Sequence, residues 1–181
     1  MGWMDTVSAW EGLRVDRGAY DLQLDDTGNV RGTGTVEGEA VAGRSAAVFA
    51  LSPAVTVTCV EVDGVGVTPE MMGEGIWSVG ARLSPDTSHR VQVRYEGRLD
   101  RAFMRDEAGH AWYEIQVMTR WRPVFGLDHP AKSRTTLTLP SAFTAASSFG
   151  LVKEDRTGHK VQYVWDTGEA AYADFSIVVG E

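Results

Sequence analysis

Arg90-Val91-Gln92-Val93-Arg94-Tyr95-Glu96 places Val91, Val93 and Tyr95 on one side of an extended chain and four polar side chains on the other. Successive side chains of a strand point to opposite faces. This stretch is therefore a strand with one face buried and one in water, the pattern of an antiparallel sheet. A slip of one residue would turn all three apolar groups outward, which pins the register. Tyr95 is expected in the core, with Arg94 and Glu96 in solvent.

The period of two continues on both sides. Upstream, Tyr20, Leu22 and Leu24 alternate with Asp21, Gln23 and Asp25, and Asp26-Thr27-Gly28-Asn29 signals a turn. Residues 31–39 alternate glycine and threonine and make a partner strand. Residues 46–51 and 55–62 are two apolar strands split by Ser52-Pro53. The second slips phase between Cys59 and Val60, as a bulge does, before the turn Asp63-Gly64. Downstream, Ala111, Tyr113, Ile115 and Val117 repeat the pattern. So do Leu137 and Leu139 before Pro140, then Val161, Tyr163 and Trp165, then Phe175, Ile177 and Val179. About eleven strands with turn signals every 8–12 residues predict an all-β fold, an antiparallel two-sheet β-sandwich. Residues 1–18 differ: Trp3, Val7, Trp10 and Leu13 share a helical face, with Gly12 and Gly18 to end it. A short N-terminal helical segment over 1–18 and a single sandwich domain over 19–181 are expected.

A chain of 181 residues, 43% hydrophobic and 23% charged, can bury one domain core. Its net charge of −8 argues against a phosphate-neutralising surface, so no nucleic-acid partner is expected. No apolar run approaches the roughly 20 residues of a membrane span. The start, Met1-Gly2-Trp3-Met4-Asp5, has no basic flank or apolar core of a signal peptide. The cytoplasm is the expected location, with no membrane partner. Cys59, the one cysteine, allows no internal disulfide and reads as a small buried apolar group among β-branched neighbours.

The chemistry-bearing residues form no known motif. Zinc hydrolysis needs two histidines on one helical turn, as in H-E-x-x-H, and a third ligand. His89, His110, His129 and His159 lie 19 to 30 residues apart and read as turn or strand-end side chains on the surface. No G-x-S-x-G elbow occurs, and Ser147-Ser148-Phe149-Gly150 reads as a strand end. Gly32-Thr33-Gly34 and Gly64-Val65-Gly66 lack a following helix and read as turns, not phosphate cradles. Glu61, Glu96 and Glu114 lie on strands and read as solvated faces rather than a glycosidase pair. Trp112 points away from Tyr113 and Ile115, either as an aromatic platform or as an edge residue under a second sheet. No catalytic, metal-binding or cofactor-binding residue is assigned, and no cofactor is expected.

Between these strands lies Trp121-Arg122-Pro123, followed by Leu127-Asp128-His129-Pro130-Ala131-Lys132. Two prolines and Gly126 bar this segment from a central strand, so it should cross between strands as an ordered loop. Trp121 and Phe125 are large apolar groups that such a loop buries against the sandwich or offers to a partner. His129 beside Asp128 should stay near the surface, because a buried charged pair without further partners is costly. Phe125, Asp128 and His129 form the candidate surface for a protein partner.

Read in order, these elements resemble the N-terminal β-sandwich domain of M1-family zinc aminopeptidases. The opening strand 19–25, the glycine-containing partner 29–36, and Val60-Glu61-Val62-Asp63-Gly64 follow that domain's sequence of elements. Arg94-Tyr95-Glu96-Gly97-Arg98-Leu99, Trp121-Arg122-Pro123 and Asp128-His129-Pro130-Ala131-Lys132 continue it, with His129 where the family usually has Glu. A strand ending at Pro140, the stretch 145–150 and a closing strand complete it. The resemblance implies a sandwich that is non-catalytic, caps a peptidase domain and contributes one acidic or amide side chain to bind a substrate amine; it also implies a buried Trp121, because the family's aromatic-proline element leads into the sheet. That position has no clear counterpart before Trp121, and the family's zinc motif is missing. Three functions stay open: a non-catalytic accessory or interaction module, a small-molecule or lipid carrier with an interior cavity, and a hydrolase with an unrecognised site.

Overall fold

The computed structural model describes residues 2, 5, 12–44, 46–80, 83–99, 103–116, 119–125, 131–167 and 176–181. In chain order the strands are β1 Leu13–Leu24, β2 Asn29–Ala40, β3 Ala47–Ala50, β4 Val55–Val62, β5 Val65–Val67, β6 Glu70–Gly73, β7 Ile76–Val79 and β8 Ser88–Arg98. They continue as β9 Phe103–Arg105, β10 Ala111–Ile115, β11 Lys132–Pro140, β12 Thr144–Ser147, β13 Gly150–Thr157, β14 Lys160–Asp166 and β15 Ile177–Gly180. An eight-stranded sheet runs β13-β14-β11-β1-β2-β8-β4-β5. A four-stranded sheet (β12-β15-β10-β9) and a three-stranded sheet (β3-β7-β6) share one buried cluster with its inner face. The result is an all-β sandwich with a large layer against two small ones.

The alternation in β8 holds residue by residue. Val91, Val93 and Tyr95 are buried, while Arg94 and Glu96 are exposed. The glycines of β2 are part of the same inner face. A Cβ on Gly32 would lie 2.1 Å from the Tyr95 ring, and one on Gly34 would lie 2.7 Å from Pro123. Gly32-Thr33-Gly34 is therefore mid-strand rather than a turn, and its bare inner surface lets large side chains rest on the sheet. Asp63 and Gly64, with φ of 51° and 80°, form the two-residue turn between β4 and β5.

Several expectations need correction. There are fifteen strands among the described residues and three sheets. The large sheet is mixed, because β1 and β11 run parallel, Tyr20 beside Thr135 and Leu22 beside Leu137. The helical segment does not extend to Gly18: Leu13 opens β1 and pairs with Ala40. Trp3, Val7 and Trp10 lie outside the described residues. The register shift in β4 falls between Val57 and Cys59, which turns Cys59 to the outer face, half-buried, with its Sγ 3.7 Å from Glu61 Oε1. Cys59 is thus not a core side chain. β13 has no signature in the sequence, because all eight of its residues are exposed and carry no alternation.

Candidate functional site

The segment from Arg120 to Phe125 lies across the inner face of the large sheet. The Trp121 side chain is fully buried, with its ring edge-on to Tyr20 at 6.0 Å. The Tyr95 hydroxyl donates to the Trp121 carbonyl. Arg122 sits over the Tyr20 ring at 4.7 Å and donates to its hydroxyl at 2.8 Å. Val124 exchanges backbone hydrogen bonds with Ala50 of β3, which ties the loop to the small sheet. Arg120 holds a φ of 50°, and its guanidinium donates to the Glu74 carbonyl at 3.0 Å.

Burial of Trp121 agrees with expectation, whereas Phe125 does not serve the surface assigned to it. Phe125 is 3% exposed and packs against Phe49 at 5.3 Å between ring centroids. The Val124–Ala50 bridge turns it inward, so it cannot anchor a partner. Asp128 and His129 lie outside the described residues.

The histidines occupy two environments. His89 is buried, contrary to the expected surface position. Its Nδ1 donates to Asp63 Oδ2 at 2.7 Å and its Nε2 faces the Ser84 carbonyl at 3.2 Å. Both ring nitrogens meet acceptors, so the imidazolium fits the site better than the neutral ring. The Asp63 hydrogen bond raises the His89 pKa, while the Arg90 backbone N–H and His89 lower that of Asp63. His110 pairs with Asp106 at 2.9 Å on the surface, and His159 is exposed in the β13–β14 turn. Among the described residues no three His, Cys, Asp or Glu side chains gather in a metal-ligating group.

The outer face of the eight-stranded sheet carries two polar grooves among the described residues. One groove of about 500 Å³ is lined by Arg17, Ala19, Asp21, Thr33, Thr35 and Arg134 among others. A second of about 560 Å³ lies beyond Gln23 and Arg31, with Thr138 and Lys160 on its far side. Sequence alternation placed Asp21, Gln23 and Glu96 outside. It could not show that β11 returns beside β1, the parallel contact that brings Arg134 and Thr138 onto the same face. Glu61 and Glu96 form ion pairs with Arg94 and Arg31 across neighbouring strands, and Glu114 accepts from Gln116 at the end of β10. Trp112 is half-buried on β10, between Met104 of β9 and Gly180 of β15.

No protein-family model and no curated protein matches the sequence. Solved structures do match the fold. An M1 zinc metallopeptidase from Deinococcus radiodurans superposes with a TM-score of 0.75 at 18% identity, over 93% of this chain and 42% of that one. Native yeast LTA4 hydrolase matches at 0.71 and 15%, over 96% of this chain and 30% of that one. Aminopeptidase A from Legionella pneumophila matches at 0.74 and 12%, over 94% of this chain and 21% of that one. The chain thus spans less than half the length of each, and over nearly all of its own length it shares the β-sandwich fold found in M1 zinc metallopeptidases, as an N-terminal domain alone would.

Proposed function

We propose that the chain is a non-catalytic β-sandwich that acts as an accessory or interaction module for a protein partner. The observation that carries this reading is the extent of the shared fold: 93% of this chain corresponds to 42–43% of two-domain M1 metallopeptidases. The sequence adds support, because no pair of histidines stands at metal-binding spacing. A carrier role is less well supported, since the space between the layers is filled by Leu22, Phe49, Tyr95, Tyr113, Trp121 and Leu137, each at most 2% exposed. The cytoplasm suits the half-exposed free thiol of Cys59. Elemental analysis after dialysis against chelator, with an aminoacyl reporter assay on the same sample, tests the non-catalytic role. No bound zinc and no turnover are expected; one metal retained per chain, or turnover that a point substitution abolishes, would overturn it.

A further inference from the structure

We infer that the outer face of the eight-stranded sheet is the docking surface for an extended, acidic protein segment, an assignment that rests on the interaction role proposed above. The two grooves adjoin along β1 and β2, where Asp21 is followed on the same face by Gln23, and Thr33 by Arg31. Together they make one trough from Arg17 to Gln23, about 20 Å long at roughly 3.3 Å per residue. That is the length of six or seven extended residues. The floor is made of short side chains, the methyl of Ala19 and the hydroxyls of Thr33 and Thr35, with Thr138 beyond.

Charge selects the occupant. Of the chain's 17 Lys and Arg, nine lie on β1, β2, β4, β8, β11 and β14, the six inner strands of the eight-stranded sheet, and eight lie elsewhere. Of its 25 Asp and Glu, seven lie on those strands and eighteen elsewhere. The face is thus the cationic side of an acidic protein. Four of its arginines are matched by Glu39, Glu37, Glu96 and Glu61. Among the described residues Arg90, Arg134 and Lys160 have no hydrogen bond or ion pair from their side chains. Arg134 on β11 and Arg90 on β8 flank the first groove, three strand spacings (about 14 Å) apart across the sheet and offset by two residues along it. Lys160 stands at the far end of the second. Guanidinium groups take carboxylates in bidentate fashion, so the segment carries acids towards both ends. Asp21, exposed in the floor, takes a cationic or amide donor at its centre. Nucleic acid fits poorly, because its phosphates repeat evenly along the strand and would meet Asp21 at the centre, where a peptide can place a cation between its acids.

The test uses the full chain and a fluorescein-labelled peptide, Glu-Glu-Thr-Lys-Thr-Glu-Glu, against its analogue with Gln in place of Glu. Fluorescence anisotropy should give a Kd below about 1 mM for the acidic peptide, weakened by salt, with no binding of the analogue. The double substitution Arg90→Gln, Arg134→Gln should weaken it about tenfold; both side chains are exposed, and circular dichroism checks that the fold is kept. Absence of binding, binding indifferent to the double substitution, or tighter binding of a single-stranded oligonucleotide of equal charge would overturn the assignment. Failure to bind without cleavage removes this face and leaves the non-catalytic module standing. Cleavage of the peptide would remove that role, and this inference with it.

Discussion

At the scale of single residues, Tyr95 joins local pattern to tertiary structure. Alternation turns it inward, burial pushes its phenol pKa upward, and its hydroxyl donates to the Trp121 carbonyl. Tyr95→Ala should cost about 3–5 kcal/mol, as buried aromatic truncations do. Tyr95→Phe, which leaves that carbonyl without its donor, should cost about 1–2 kcal/mol. Arg94→Ala, which removes a half-exposed pair with Glu61, should cost less than about 1 kcal/mol. Urea denaturation of the three variants checks the order, and equal costs for Tyr95→Ala and Arg94→Ala would refute the facing of β8. The His89–Asp63 pair gives a pH dependence. The folded pKa of His89 is raised, so its contribution is full below the unfolded value of about 6.5 and is lost as pH rises through the folded one. The folded pKa of Asp63 is lowered, so its contribution is present above about 3.9 and is lost as pH falls through the folded value. The pair stabilises most between about pH 4 and 6.5. The stability gap between the parent chain and His89→Gln should shrink by on the order of 1 kcal/mol from pH 5.5 to 8; parallel curves would show that His89 is not charged in the folded chain.

At the scale of elements, the loop from Arg120 to Phe125 is a structural crossing. It sits on the bare patch left by Gly32 and Gly34, and it bridges to β3 through Val124. Trp121→Ala and Phe125→Ala should each cost about 3–5 kcal/mol, since both rings are buried. Thermal unfolding decides this: a Phe125→Ala variant with an unchanged Tm would return Phe125 to the surface. The proline and glycine content of the loop was legible in the sequence and barred it from a strand. Whether Phe125 faced a partner or Phe49 was not legible, because that depends on a bridge to a strand more than seventy residues earlier.

At the scale of the whole molecule, the large sheet ends in β13, an edge strand with every residue exposed, including Leu151 and Val152. Unpaired edges invite strand addition, and charges along them discourage it. Lys153 pairs with Asp155 and Arg156 with Glu154, next to a register shift between Leu151 and Lys153. Lys153→Val with Arg156→Val should leave the midpoint of unfolding nearly unchanged and produce concentration-dependent association in light scattering; a variant that stays monodisperse would show that the charges are not what protects this edge. The sequence by itself determined that the chain is all β, which residues of β1, β8, β10 and β14 face inward, and where the turns at Asp26, Asp63 and Asp106 fall. Those features follow from side-chain alternation and from backbone conformations that few residues adopt, both local properties. Only the tertiary structure decided that β11 lies parallel to β1, that Leu13–Gly18 extends the sheet, that His89 is buried against Asp63, and that Arg90 and Arg134 flank one trough. Each of these joins residues far apart in the chain, and alternation states which face a side chain takes without stating which strand will lie beside it.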